Sequence, residues 1–82
     1  MNYFIYVLYS KSADKTYVGF TNDLNRRLKE HNKGQNYFTK RYIPWEIIYT
    51  EQYISKGEAR SRERYLKSAS GRRLVLKRLF NS

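Results

Sequence analysis

The sequence predicts an α+β fold: a three-stranded, mainly antiparallel sheet flanked by helices, in the order ββαβαα. Three features carry this expectation. Three runs rich in β-branched and aromatic residues are set apart by turn signals. The stretches after the second and third runs open with helix-capping residues and carry apolar side chains at helical spacing. The first two runs are joined by a link short enough only for a hairpin, which makes them antiparallel.

Residues 2–10, NYFIYVLYS, form the first strand. They are apolar at odd and even positions alike, so both faces are expected to be covered. Residues 11–15 turn the chain, and residues 15–20, KTYVGF, return as the second strand. Thr21 or Asn22 then caps a helix of about a dozen residues, with Asp23 in the first turn, where the helix dipole favours an anion. Gly34 is placed to end it. Residues 35–44, QNYFTKRYIP, read as a loop, since Pro44 discourages helix. Residues 45–53, WEIIYTEQY, are the third strand. Ser55 and Glu58 match a capping box opening a helix to Lys67. SASG interrupts it, and a last helix over 71–80 carries Leu74, Val75, Leu76 and Leu79. With no repeat and no linker, residues 1–82 read as one domain.

Charge narrows the function. Seventeen Lys and Arg face seven Asp and Glu, a net charge of +10. Such a surface attracts polyanions, and nucleic acid is the expected partner. A membrane is not, because no basic amphipathic segment has a rich apolar face and no apolar run reaches spanning length. The N-terminus has neither the basic start nor the cleavage site of a signal peptide, so a cytoplasmic address is expected. There are no cysteines, which excludes disulfides and thiolate zinc sites. Nine Tyr, four Phe and one Trp must supply much of the core instead.

Polar residues fall on the wrong faces of two helices. On a wheel of about 100° per residue, Leu24 and Leu28 define the apolar stripe of the first helix. Arg26, Lys29 and Glu30 lie opposite, as solvated charges do. Arg27 and the chain's one histidine, His31, lie on the stripe, four residues apart and so adjacent on the helix surface. In the second helix Ala59 and Leu66 mark the inward stripe, with Glu63 on it and Arg62 on the other flank. An inward carboxylate is costly unless paired, hydrogen-bonded or holding a metal. Each residue has a purely structural reading: an ion pair between Arg27 and Glu63, and a satisfied core histidine. Together they are the parts phosphodiester hydrolysis needs. A carboxylate holds a cation, a guanidinium stabilises a pentavalent anion, and His or Tyr moves a proton.

At these residues the sequence resembles the GIY-YIG nuclease family, in its short single-domain subgroup. FIY (4–6) and YVG (17–19) look like the paired tripeptides, RLKEH (27–31) like the helical Arg with a His four residues on, and EARSRERYLKS (58–68) like the helix bearing the metal-binding Glu. The resemblance spans nearly the whole chain and implies the three-stranded sheet already derived. It further implies that Tyr6 and Tyr17 are the motif tyrosines of one shallow site. Gly19 would leave room for the substrate backbone or the first helix, and Arg27 would stabilise the scissile phosphate. His31 would assist Tyr6 or the attacking water, and Glu63 would be the sole protein ligand of one Mg²⁺ or Mn²⁺ ion. Tyr6 is a poor base at its ordinary pKa of about 10, so Arg27 and the cation would have to lower it.

The implied activity is divalent-metal-dependent endonucleolytic cleavage of DNA. Branched or damaged structures met in repair or recombination are the expected targets, with weak sequence preference. RNA is the second candidate substrate, and the protein would act as a monomer or homodimer. Phe4 stands where the first motif has Gly, and the late Asn of the family has only Asn81 as a counterpart. These departures support an alternative, a catalytically weak or inactive nucleic-acid-binding module on the same fold. Lys40, Arg41, Arg60, Arg64, Lys67, Arg72, Arg73, Lys77 and Arg78 are the candidate phosphate contacts. The loop NYFTKRY (36–42) interleaves rings with cations and suits either base stacking or cover for the core edge.

Overall fold

The computed structural model describes residues 2–80, apart from the side chains at 76 and 78–80. The expectations for Arg78 and Asn81 therefore lie outside the described residues. Strands β1 (Tyr3–Ser10), β2 (Lys15–Thr21) and β3 (Glu46–Tyr53) form one antiparallel sheet in the order β2-β1-β3. Helix α1 (Leu24–Asn32) follows β2, and α2 (Lys56–Lys67) and α3 (Ala69–Phe80) follow β3.

The unbroken apolar run of β1 is explained by its central place, with a layer on each face. Ile5 and Val7 point to one side and pack with Val18, Ala59, Leu66 and Val75, so α2 and α3 cover that face. Tyr6 and Leu8 point to the other and pack with Trp45, Leu24, Leu28 and Tyr42 beneath α1. Ile5, Val7 and Leu8 are fully buried, each worth about 1.5–3 kcal/mol of transfer energy.

Three local expectations are corrected. The N-cap of α1 is Asp23, not Thr21 or Asn22. Thr21 Oγ1 accepts the Asp23 N–H at 3.0 Å and keeps the chain extended, and Asp23 Oδ1 accepts the Arg26 N–H at 3.1 Å. The break after α2 is one residue, Ser68, and the last helix starts at Ala69 rather than Gly71. The Ser68 hydroxyl donates to the Tyr65 carbonyl and accepts the Gly71 N–H, closing one helix and opening the next. The stretch 35–44 is not all loop, since Thr39–Tyr42 forms a 3₁₀ turn. Asn36 Oδ1 organises it, accepting the N–H groups of Phe38 and Thr39 at 3.0 Å each.

Other expectations stand. Gly34 follows α1 at φ 79°, a left-handed position that costs glycine little. Ser55 caps α2 through the Glu58 N–H at 3.3 Å. Asn32 ties the end of α1 to the start of β3, accepting the Trp45 N–H at 2.7 Å and donating to its carbonyl at 3.1 Å. Arg62 clamps α2 to β3 by a fork onto Glu51 at 2.9 and 3.0 Å, and Tyr49 and Tyr53 donate to the same carboxylate. Among the described residues no helix is long and apolar enough to cross a membrane.

Candidate active site

Tyr6 and His31 are 25 residues apart in sequence and share a hydrogen bond of 2.9 Å between the phenol oxygen and Nε2. The wheel placed His31 inward, and it is fully buried. Its other nitrogen, Nδ1, lies 2.7 Å from the hydroxyl of buried Thr39, presented by the 3₁₀ turn. Arg27 Nε donates to the Tyr6 oxygen at 3.3 Å. A guanidinium only donates, so that oxygen accepts from Arg27. The Tyr6 proton is then free to go to Nε2, which puts the ring proton on Nδ1 toward Thr39. This tautomer is assigned from the hydrogen-bond chain.

Burial sets the protonation states. Desolvation pushes the Tyr6 phenol up to about 12, against the opposing pull of Arg27. Desolvation, with Arg27 adding to it, pulls His31 down to about 4. At neutral pH the pair is an uncharged phenol hydrogen-bonded to an uncharged imidazole; Arg27 alone does not lower the phenol as expected, because desolvation outweighs it.

Gly19 makes the tyrosine placement possible. It pairs with Tyr6 across the sheet, and the ring lies over it. A Cβ at position 19 would overlap Tyr6 Cζ and Oη and stand 2.7 Å from Cε2. The expected role is thus corrected: the space serves Tyr6, not the substrate backbone or α1. Tyr17 borders the same cluster, its ring edge-on to His31 with centroids 5.2 Å apart.

Arg27 does not pair with Glu63. Its Nη1 donates to Glu30 Oε1 at 2.9 Å, so Glu30 turns back along its helix rather than pointing away, and that bond holds its carboxyl below the usual range. Glu63 is 8% exposed. Its two oxygens meet Arg60 Nη1 and Lys67 Nζ, each at 3.1 Å. Lys67 Nζ also lies 5.7 Å from the centre of the Tyr17 ring. Glu63 is therefore joined to the cluster through Lys67, and its charge contributes to the raised Tyr6 pKa.

Residues 2–77 match the sequence model of the GIY-YIG catalytic domain. The chain belongs to the GIY-YIG nuclease family. It is similar to the UPF0213 protein YazA of Bacillus subtilis, 38% identical over 76 residues that cover 92% of this chain and 76% of the relative. A UPF0213 protein of Natronomonas pharaonis is 38% identical over 71 residues, covering 84% and 81%. The solution NMR structure of a UPF0213 protein from Bacillus halodurans superposes with a TM-score of 0.58 at 30% identity, covering 94% of this chain and 84% of that one. The GIY-YIG fold is thus shared, while these relatives' names specify no substrate.

In the GIY-YIG frame the two motif tyrosines flank His31 from neighbouring strands. The other basic candidates, Lys40, Arg41, Arg60, Arg64, Lys67, Arg72, Arg73 and Lys77, are all exposed, but not all are free. Arg60 stacks over Phe20 and pairs with Glu63, while Lys40 and Arg41 lie over the Tyr37 ring. Thr39 and Glu30 were not foreseen. Glu30 had a usable signal, three residues after Arg27, whereas Thr39 meets His31 only through the 3₁₀ turn.

Proposed function

We propose that the protein is a divalent-metal-dependent endonuclease that hydrolyses phosphodiester bonds in DNA in the cytoplasm, with structure rather than sequence guiding the cut. The observation that carries this reading is the Tyr6 oxygen held at 2.9 Å by His31 Nε2 and at 3.3 Å by Arg27 Nε. A phenol so placed can take a proton from an attacking water only once its own has left. With the phenol at about 12 and His31 at about 4, a bound cation would have to lower the phenol first. Arg27 restrains that oxygen, and its remaining donors suit a non-bridging phosphate oxygen in a fork a lysine lacks.

The residues present fit one hard cation at Glu63. Among the described residues no three His, Asp or Glu gather as a cage. Mg²⁺ needs none, since it commonly takes one or two carboxylates and fills its shell with water and phosphate oxygens. The pairing side chains of Arg60 and Lys67 are 55% and 47% exposed, so both can swing clear of the carboxylate. Glu63 would hold the ion. Lewis acidity at the departing 3′ oxygen is what one bound Mg²⁺ or Mn²⁺ supplies.

The second reading, a binding module without useful catalysis, is favoured by one observation: both Glu63 oxygens already have cationic partners. Labelled linear, nicked, flapped and branched DNA, incubated with and without Mg²⁺ or Mn²⁺, separates the two. Cleavage that needs the metal and vanishes in Glu63→Ala, with binding retained, is expected. The same variant should keep its stability within about 1 kcal/mol, because Arg60 and Lys67 are half-exposed and are hydrated by water once the buried carboxylate is gone. Binding without cleavage in the wild type would favour the module, and cleavage unchanged in Glu63→Ala would reject Glu63.

A further inference from the structure

Beside the tyrosine–histidine cluster lies an open groove of about 270 Å³, lined by Thr16, Tyr17, Val18, Phe38, Lys67 and Arg72. Tyr17 is the shared wall. One part of its ring faces His31, and Phe38 stacks on it at 5.9 Å with planes 26° apart. Phe38 is 45% exposed, a large ring left open beside two cations. The turn that presents it is built for two jobs. Asn36 fixes consecutive residues, sending Thr39 inward to His31 and leaving Phe38 outward at the groove.

We propose that this groove is a subsite for a single unpaired nucleobase next to the scissile phosphate, with the Phe38 ring as its stacking surface and Lys67 and Arg72 on the adjoining phosphate. This rests on the reading that the chain acts on a nucleic-acid strand, and it names the substrate class: a strand with an unstacked base at the cleavage point. The chemistry of the lining selects this occupant. Inside a duplex each base face is covered by its neighbours, so an aromatic wall can meet a base face only where a base has left the stack. The volume is near the lower end, about 300 Å³, of small-ligand pockets, which suits one base. A ring with a cation at its side is the usual pairing on single-strand surfaces. β2 has a strand partner on one side only, so the groove opens at the sheet's edge, accessible to a passing strand.

The test needs no metal, so it does not depend on cleavage. The probes are a fluorescently labelled thymidine tetramer, an abasic tetramer with the same phosphates, and a blunt GC-rich dodecamer duplex whose affinity is compared per phosphate. The thymidine tetramer should bind about tenfold tighter than the abasic one, in the range that base–aromatic stacking gives. The duplex should gain nothing over the abasic tetramer. Phe38→Leu keeps the apolar bulk and removes the π face, and should abolish the difference; Phe38→Trp should restore it. Arg72→Gln should weaken both tetramers equally and flatten the salt dependence. A wild type that binds both tetramers alike would overturn the subsite, as would discrimination that survives Phe38→Leu. If stacking is found and cleavage never is, the nuclease reading fails alone.

Discussion

Gly19→Ala is the sharpest perturbation of the site. The added Cβ would stand 2.7 Å from Tyr6 Cε2 and overlap Cζ and Oη. Ordinary contact begins near 3.4 Å, so the ring must withdraw by roughly 1 Å. It has nowhere free to go, because His31 holds the phenol oxygen at 2.9 Å and Arg27 at 3.3 Å. Overpacking of this kind costs about 1–3 kcal/mol, and losing the bonds to a buried imidazole adds a further ~1–3 kcal/mol. The whole stability of a domain this size is only about 4–12 kcal/mol, so the midpoint temperature should fall by about 10 °C or more. Cleavage should fall about a hundredfold, the usual cost of a ~1 Å misplacement. Combined with Tyr6→Phe, the loss should not add, since both changes remove one function. Gly57→Ala is the control: its Cβ meets only Ser55 Oγ, at 3.7 Å. Melting curves, cleavage rates and the ¹⁵N shifts of the His31 ring give the readouts. A Gly19→Ala protein with wild-type stability and unchanged His31 shifts would refute the close Tyr6–Gly19 fit.

Other outcomes follow from the same geometry. His31 has its pKa depressed from 6.5 to about 4 in the fold, so the unfolded chain takes up its proton first. Its contribution is fully present above about pH 6.5 and is lost as pH falls toward 4, by about 3 kcal/mol; urea unfolding across that window should show a slope that His31→Asn lacks. Thr39→Val removes the partner of Nδ1 while keeping the shape, and should cost about 1–3 kcal/mol in denaturant melts. Its cleavage should slow by roughly tenfold to a hundredfold, and Thr39→Ser should recover most of both. Glu51→Ala strips Arg62, Tyr49 and Tyr53 of their common acceptor, at a cost of about 2 kcal/mol by chemical denaturation. An unchanged midpoint would mean that this clamp between α2 and β3 is ornamental.

The helix wheel read His31 correctly because burial of one face is a local, periodic property. The same wheel misplaced Glu30, since a flexible glutamate can bend back to a neighbour three residues away whatever its angle on the wheel. The capping of α1 was misread by one or two residues: Thr21, Asn22 and Asp23 all cap well, and Thr21's bond to the Asp23 N–H decides among them. Phe38 and Thr39 looked alike as members of a mixed aromatic and basic loop. Only the 3₁₀ turn sends one to solvent and the other to the core.

From residue order alone came the ββαβαα layout, the two-sided first strand, the net charge of +10, and the inward set of Arg27, His31 and Glu63. All of these are encoded over a few adjacent residues, by periodicity, capping and composition. The partners of those groups are set elsewhere. Tyr6 meets His31 across 25 positions, Gly19 yields its space to that phenol, and Glu63 turns to Arg60 and Lys67 rather than Arg27. A hydrogen bond depends on ångström-scale distance between distant parts of the chain, and only the packing of α1, α2 and the 3₁₀ turn on the sheet brings those parts together.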